Sequence, residues 1–305
     1  MTKRQVALMC ATLVALFYAY NFSAAKEVTP DHIGPFGLTW YRVLGTCTIF
    51  WVISLFVKTK QTVPLKDLPL IALAAFCGVG FNMITFMWGL SLTTPISASV
   101  LMVTTPIIVA VLSAVFLKEK LTGYKIAGIM LGFTGATLLI ILSSAPNQIA
   151  ADPMTGNFLV FINSVSYAFY ILLAKRLTAK YDVFTLMKWL YLFGLLFITP
   201  FGIEQGLAFE WSTASTTIVL NIAYVVLFAT FGTYMLNIIA IKTLKPSVVA
   251  VFVYLQPLLA ALIAVGLGTD TLSWTKAGIG VMIFLGVYLT GRKSQRTVKE
   301  ETVIN

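Results

Sequence analysis

Five amide side chains stand deep inside long apolar stretches of this sequence. They are Asn21, Asn82, Asn163, Asn237 and Gln256. An amide costs free energy in apolar surroundings unless it is hydrogen-bonded. Each of these groups therefore bonds a neighbouring helix or binds the polar part of a solute, and the sequence leaves both interpretations open at every position. The chemistry that they offer is reversible, non-covalent binding.

Aromatic residues recur beside these amides at helical spacing, which places them on the same helix faces. Tyr18 precedes Asn21 by three residues, and Asn163, Tyr167 and Tyr170 form one stripe. The pattern predicts a cavity wall whose rings stack on a planar solute while the amides bond its polar ends; packing in a core is the alternative for each ring. The candidate cavity residues are Tyr18, Asn21, Asn82, Thr85, Phe86, Ser99, Met102, Asn163, Tyr167, Tyr170, Phe231, Tyr234, Asn237, Tyr254 and Gln256.

Two cations also fall inside apolar stretches. Arg42 lies about one third of the way along its stretch, where it either bonds backbone carbonyls or provides a counter-charge for a substrate carboxylate. Lys188 lies only a few residues from a stretch end, so we expect its ammonium to extend to the membrane surface.

The groups that covalent catalysis needs are missing from this pattern. His32 is the only histidine, the three cysteines are dispersed, and the acids lie between the apolar stretches. An enzyme would need a nucleophile with a base, or a set of metal ligands. The sequence therefore predicts neither an enzyme nor a metal or other cofactor. The lack of a buried acid also favours facilitated diffusion or exchange over proton coupling, unless a group that we do not recognise carries the proton.

The elements that position these residues must lie in lipid. The chain of 305 residues is 59% hydrophobic and 10% charged, whereas soluble domains carry about 25% charge. A helix needs about 20 apolar residues to cross a bilayer. We therefore predict an all-α polytopic membrane protein with ten transmembrane helices, near residues 5–25, 36–57, 68–90, 95–117, 124–142, 156–175, 184–203, 217–241, 247–267 and 275–291.

The basic residues orient these helices. With both termini in the cytoplasm, most of the 21 Lys and Arg residues fall in cytoplasmic segments, as the positive-inside rule requires. The net charge of +10 is spread over short gaps rather than gathered on one soluble face, so we expect no nucleic-acid partner. The expected surroundings are the lipid bilayer of the inner (plasma) membrane.

The two halves of the chain resemble each other. The proline pair Pro95 and Pro106 recurs as Pro246 and Pro257, and "YAYNFSAAK" from Tyr18 resembles "YAFYILLAK" from Tyr167. Five helices in each half give the halves opposite orientations, which is an inverted-topology repeat. The predicted units are residues 1–147, residues 148–291 and a flexible cytoplasmic tail over 292–305. Pro106 and Pro257 fall near mid-membrane, where each is expected to kink its helix toward a hydrated cavity.

The order of these motifs is similar to a known family. "NFSAAK", "PFGLTWYR", the stretch from "GVGFNMITF" to "VFLKEKL", and "GIMLGFTGATLLI" resemble the EamA-type, ten-helix members of the drug/metabolite transporter superfamily. The resemblance covers roughly residues 5–291. It implies a secondary transporter, and its implied substrates are amino acids or other small metabolites.

We therefore expect a carrier that exports neutral or zwitterionic small molecules by alternating access through a central cavity. The aromatic faces keep a polyspecific exporter of drugs or aromatic compounds as an alternative. Nucleotide sugars and other phosphorylated substrates are less favoured, since only two basic residues fall within the spans. The sequence leaves a monomer and a homo-oligomer equally open.

Overall fold

The computed structural model describes residues 2–56, 61–116, 122–142, 150–237, 246–268, 270–271 and 273–291. Within these ranges the regular secondary structure is entirely helical, as predicted. The helices are α1 (Lys3–Val28), α2 (Pro35–Phe56), α3 (Leu68–Ala75), α4 (Phe81–Leu92), α5 (Pro95–Met102), α6 (Thr105–Phe116), α7 (Gly123–Leu142), α8 (Pro153–Thr178), α9 (Val183–Leu207), α10 (Thr216–Val226), α11 (Pro246–Gly266) and α12 (Trp274–Gly291).

Seven stretches within the described ranges are long and apolar enough to cross a membrane. They are Gln5–Val28, Pro35–Phe56, Leu65–Leu92, Pro95–Phe116, Pro153–Thr178, Val183–Leu207 and Thr216–Asn237. The helices α7, α11 and α12 lie over the other three predicted spans, and two of them contain the shorter apolar stretches Gln256–Gly266 and Ala277–Gly286. The count of ten spans and the cytoplasmic termini stay predictions.

Polar side chains mark where several helices begin. Thr94, Asp152, Asp182 and Ser215 each precede a helix and accept a hydrogen bond from a backbone N–H three residues later. These bonds satisfy donors that have no partner inside the helix. Pro95 opens α5 directly after its cap, a position where the missing N–H of proline costs little.

Within the described ranges, two spans contain a π-helical segment. Phe76–Gly80 joins α3 to α4, and Leu227–Gly232 follows α10. The spans that contain them are third in the first half and third in the second half of the chain. Each π turn holds an extra residue relative to an α turn, and such insertions occur often at functional sites.

The helices pack in pairs that correspond when the two halves are exchanged. In that exchange α1 corresponds to α8, α2 to α9, α4 to α10, α5 with α6 to α11, and α7 to α12. The structure packs α2 on α9 and α7 on α12, which are counterparts of each other. It also packs α4 on α8 and, correspondingly, α10 on α1. The contacts of α1 with α11 match those of α8 with α5 and α6.

Glutamine side chains complete the paired ends of α2 and α9. Gln205 lies near the end of α9, and its Oε1 accepts hydrogen bonds from Phe36 N and Gly37 N at the start of α2, both at 3.0 Å. Gln61 lies beyond α2, and its Oε1 accepts from Asp182 N just before α9 at 2.8 Å. The start of α2 therefore gains a partner from α9, and the residue before α9 gains one from the segment that follows α2.

Glycines allow α7 and α12 to approach closely, as their glycine-rich sequences predict. A Cβ atom added to Gly286 would lie 2.7 Å from Gly132 N and 2.8 Å from Gly128 O. One added to Gly135 would lie 2.7 Å from Ile283 Cγ1. Small residues are the usual means by which membrane helices pack backbone to backbone.

The two proline-containing spans differ. The fourth span is interrupted at Val103 and Thr104, directly before Pro106, and divides there into α5 and α6. In the ninth span α11 runs from Pro246 to Gly266 without interruption, with Pro257 inside it. The two predicted kink positions therefore have unlike local structures in this conformation.

Candidate functional site

Five tyrosines converge from four different spans, and we call them the tyrosine cluster: Tyr18, Tyr167, Tyr170, Tyr191 and Tyr234. They come from α1, α8, α9 and the segment that follows the second π turn. The hydroxyl group of Tyr18 lies within electrostatic range of those of the other four. Four of the five are predicted cavity residues, and the structure brings those four together.

The rings of this cluster pack on each other and on neighbouring phenylalanines. Tyr167 and Tyr170 have ring centroids 5.5 Å apart, and Tyr191 meets Tyr234 edge-on at 5.5 Å. Phe50 of α2 contacts Tyr191 at 5.4 Å and Phe231 at 5.3 Å. Tyr191 is fully buried, but Tyr18, Tyr167 and Tyr234 keep partly exposed side chains.

The first π segment shapes one side of the cluster. A Cβ atom added to Gly78 would lie 2.3 Å from Cδ2 of the Tyr170 ring. Only a residue without a side chain leaves room for the ring there. The neighbouring Cys77 carbonyl accepts a hydrogen bond from Ser166 Oγ of α8 at 2.8 Å. Gly78 and this bond together set how closely α8 approaches the segment.

Arg42 is buried beside the cluster, with 4% of its surface exposed. Its Nε donates to Thr230 Oγ1 at 2.5 Å, and its Nη2 donates to the Ala229 carbonyl at 3.4 Å. Thr230 donates in turn to the Val225 carbonyl at 2.8 Å, five residues earlier. Arg42 therefore ties α2 to the second π segment. The guanidinium also lies within electrostatic range of Tyr191 and Tyr234.

In the part of the chain that the structure describes, no acid balances the charge of Arg42. Among the described residues, the structure has no Asp or Glu in an ion pair with it. A central arginine costs a transmembrane helix about 2.5–3.5 kcal/mol on insertion scales. Bonds to a hydroxyl and a carbonyl offset part of this cost but leave the positive charge uncompensated.

Asn82 and Asn163 join two helices to each other. Asn82 Nδ2 donates to the Asn163 carbonyl at 3.1 Å, and Asn163 Nδ2 donates to the Asn82 carbonyl at 2.8 Å. This reciprocal pair links α4 to α8. The Oδ1 atoms of Asn163 and Asn21 are buried and have no hydrogen-bond partner among the described residues. Asn21 follows Tyr18 by three residues and Asn163 precedes Tyr167 by four. Each unpartnered oxygen therefore belongs to a residue one helical turn from a tyrosine of the cluster.

Two of the other predicted cavity residues pack in a different core from the cluster. Phe86 packs edge-on against Phe22 at 5.7 Å in a separate apolar core, on which Met102 also packs. Thr85 and Ser99 are buried and donate to carbonyls of their own helices. Asn237 and Gln256 are partly buried, and the Tyr254 side chain lies outside the described residues.

Sequence reasoning did not select Tyr191, Thr230 or Phe50 as site residues. Tyr191 follows Lys188 by three residues in α9, a helix in which no amide marked a polar face. Thr230 accepts the bond from Arg42 at a position within the π segment, and no simple residue pattern indicates such a segment. The repeat could have pointed to α9, because α9 is the counterpart of the helix that contains Arg42.

A family model supplies the decisive comparison. The EamA-like transporter family matches residues 5–141 and again residues 154–292. The chain belongs to the EamA-like transporter family. The prediction made from its motifs is thereby confirmed, and the protein is a multi-pass membrane transporter rather than an enzyme.

Curated relatives agree with this membership of the EamA-like family. An uncharacterized transporter of Archaeoglobus fulgidus is 27% identical over 93% of this chain and 96% of its own length. A probable terminal-alkyne amino-acid exporter of Streptantibioticus cattleyicolor is 26% identical over 65% of this chain and 64% of its own length. A protein of known crystal structure, 17% identical, matches with a TM-score of 0.63 over 94% of this chain and 98% of its own, which supports the fold alone.

Proposed function

We propose that this EamA-like transporter exports amino acids or similar neutral and zwitterionic solutes from the cell across the inner membrane. The tyrosine cluster with Arg42 is the observation that carries this proposal. It combines aromatic faces, hydroxyl donors and one cation deep within a helical bundle. Such a set binds a small solute that has both an apolar and a polar part.

The distribution of the cluster over the spans supports transport by alternating access. Its members, with Arg42, Gly78 and Phe231, come from the first, second, third, sixth, seventh and eighth spans. A binding site between repeat halves changes its access when one half moves against the other. The helix pairs correspond when the two halves are exchanged. This correspondence supports a structural repeat, which such a mechanism requires.

The name of one relative is consistent with amino-acid export. The Streptantibioticus cattleyicolor protein is named as a probable terminal-alkyne amino-acid exporter. At 26% identity over about two thirds of the chain, this likeness supports the class of solute and the direction, and the site residues above provide the independent argument.

Export of drugs or other aromatic compounds is the second candidate. It is favoured by the same cluster, because five tyrosines and two phenylalanines offer far more ring surface than hydrogen-bonding groups. Aromatic rings contribute about 0.5–1.5 kcal/mol for each ring pair beyond the burial of their area. A polyspecific exporter would tolerate loss of the carboxylate of a solute, whereas an amino-acid exporter would not.

Proteoliposomes test this proposal directly. The purified protein is reconstituted and loaded with a mixture of amino acids, aromatic amines and cationic dyes, and the appearance of each outside is followed by mass spectrometry. Amino-acid efflux above that of protein-free liposomes supports the first candidate, and efflux of the dyes and amines alone supports the second. If no member of the mixture leaves faster than from protein-free liposomes, both candidate functions are wrong. A second series with a pH gradient shows whether protons drive uphill movement.

A further inference from the structure

Arg42 is a buried cation whose donors are only partly used. A guanidinium has five N–H groups, and two of them have acceptors, on Thr230 and on Ala229. Both acceptors belong to one π segment. The remaining donors have no hydrogen-bond acceptor among the described residues. Since the group is 4% exposed, bulk water does not substitute freely for the missing partners.

The hydroxyl groups around Arg42 are suited to the same type of ligand. The Tyr191 hydroxyl is buried and has no hydrogen-bond partner among the described residues. The Tyr191 ring meets the Tyr234 ring at 5.5 Å, and both tyrosines lie within electrostatic range of the guanidinium. A neutral phenol donates a hydrogen bond to an anion, and guanidinium pairs with carboxylate in a planar, two-bond geometry. The described acids all lie at helix ends or in the connecting segments, so none of them supplies this anion from within the cluster.

We propose that Arg42, with the Tyr191 and Tyr234 hydroxyls, forms the subsite that binds the carboxylate group of the transported solute. This inference rests on the proposed function and specifies the chemical class of its substrates. It makes the carboxylate a requirement for binding. The side chain of the solute then lies against the rings of Tyr167 and Tyr170, whose centroids are 5.5 Å apart.

The subsite also accounts for the position of the second π segment. The segment fixes one edge of the guanidinium through Thr230 and Ala229, so the other edge keeps a constant orientation. A cation held in this way loses little freedom when an anion binds, which favours affinity. Arg42 thus has a positioning bond and a ligand-binding edge at the same time.

The test compares matched acids and amides on the purified wild-type protein. Thermal unfolding is measured with amino acids and with their carboxamide derivatives, phenylalanine and phenylalaninamide being one such pair. Stabilisation by the acids and not by the amides supports the subsite. Equal stabilisation by both forms, or by the amides alone, overturns it. This comparison needs no variant and is independent of any failure of a variant to fold.

Three variants separate binding from structure. Arg42→Gln should lose the preference for acids, and efflux of an amino acid should fall about tenfold or more, because a charge-assisted bidentate pair is removed. Thr230→Val removes the positioning bond but keeps the charge, so it should retain the preference for acids with weaker binding. Lys188→Gln changes a cation that lies over the Trp51 ring, 5.0 Å from its centroid, and should leave the preference unchanged.

The outcomes also distinguish this inference from the proposed function. If the wild type exports an amino acid and Arg42→Gln exports it at the same rate, the proposed function stands but the subsite is overturned. Acid-dependent stabilisation in a wild type that moves no amino acid leaves the subsite but contradicts the exporter. If Thr230→Val loses the preference for acids as completely as Arg42→Gln does, the role of Arg42 is structural and the subsite is overturned.

Discussion

At the scale of single residues, the structure separates polar groups that join helices from polar groups that face the cluster. The Asn82 and Asn163 amides donate to each other's backbone carbonyls, which is the structural interpretation that the sequence left open beside solute binding. The hydroxyl of Tyr167 has a different setting. Its ring packs on Tyr170, and among the described residues its hydroxyl has no hydrogen-bond partner that would tie it to another helix, so we expect it to bond the solute.

Substitutions at these two positions should therefore affect different properties, stability at Asn82 and efflux at Tyr167. Asn82→Ala removes an interhelical hydrogen bond and should lower stability by roughly 0.6–1.7 kcal/mol. Tyr167→Phe keeps the ring and should leave the melting temperature in detergent unchanged while lowering amino-acid efflux several-fold. Thermal unfolding and proteoliposome efflux of both variants measure this contrast. Tyr288→Phe, at an exposed tyrosine of α12, is the matched control and should resemble the wild type in both assays. Efflux at the wild-type rate in Tyr167→Phe would remove this hydroxyl from the site.

At the scale of the elements, apolar length predicts where the helices lie, and it does so closely. The second predicted span, 36–57, corresponds to Pro35–Phe56, and the seventh, 184–203, to Val183–Leu207. Bilayer thickness sets the required length, so this part of the fold follows from the sequence. The charges between the spans likewise predict the direction of each helix.

The helix face on which a side chain lies beyond a π segment cannot be predicted from apolar length or from the charges. A period of 3.6 residues places Tyr224, Phe228, Phe231 and Tyr234 on one face. In the structure Tyr224 bonds the Phe17 carbonyl and stacks on Phe228, whereas Phe231 packs on Phe50. The extra residue of the π turn rotates the following residues by about 100°. That rotation brings Tyr234 to the cluster and Thr230 to Arg42, and hydrophobicity alone does not indicate it.

The first π segment gives a prediction about packing. Gly78→Ala places a methyl group 2.3 Å from the Tyr170 ring, and such overpacking costs about 1–3 kcal/mol. Tyr170 must move, so amino-acid efflux should fall together with the melting temperature. Gly278→Ala in α12 is the matched control, because nothing lies within 4 Å of its added Cβ. This control should be neutral or gain up to about 1 kcal/mol from helix propensity. A melting temperature for Gly78→Ala equal to that of Gly278→Ala would show that the close approach is relieved without cost.

At the scale of the whole molecule, opposite charges hold the corner between α4 and α5, at the end of the bundle that is predicted to face outward. Lys26 Nζ donates to the Leu90 and Ser91 carbonyls at 3.2 and 2.6 Å, where α4 ends. Asp270 is buried, and its Oδ2 accepts from Ile96 N at 3.0 Å, where α5 begins. A cation at a helix C-terminus and an anion at an N-terminus both complement the helix dipole. Lys26 and Asp270 also attract each other, so the end of α1, the α4–α5 corner and the segment before α12 are held together.

We expect this corner to keep the outer end closed in the conformation described. Asp270→Ala removes the bond to Ile96 N and the charge beside Lys26, and it should favour opening of the outer end. The measurement is labelling of Ser97→Cys, a buried position in the first turn of α5, by a membrane-impermeant maleimide added outside. Cys10, Cys47 and Cys77 are first replaced by alanine. Labelling should become roughly tenfold faster with Asp270→Ala, which corresponds to about 1.4 kcal/mol of closure free energy.

A neighbouring acid provides the control for this last prediction. Asp152 lies at the same predicted end, but its Oδ1 accepts from Thr155 N within its own helix. Asp152→Ala should therefore weaken the start of α8 and leave Ser97→Cys labelling at the wild-type rate. Equal acceleration by both substitutions would indicate general loosening of this end. No acceleration by Asp270→Ala would show that the bond to Ile96 N and the charge beside Lys26 do not hold the outer end closed.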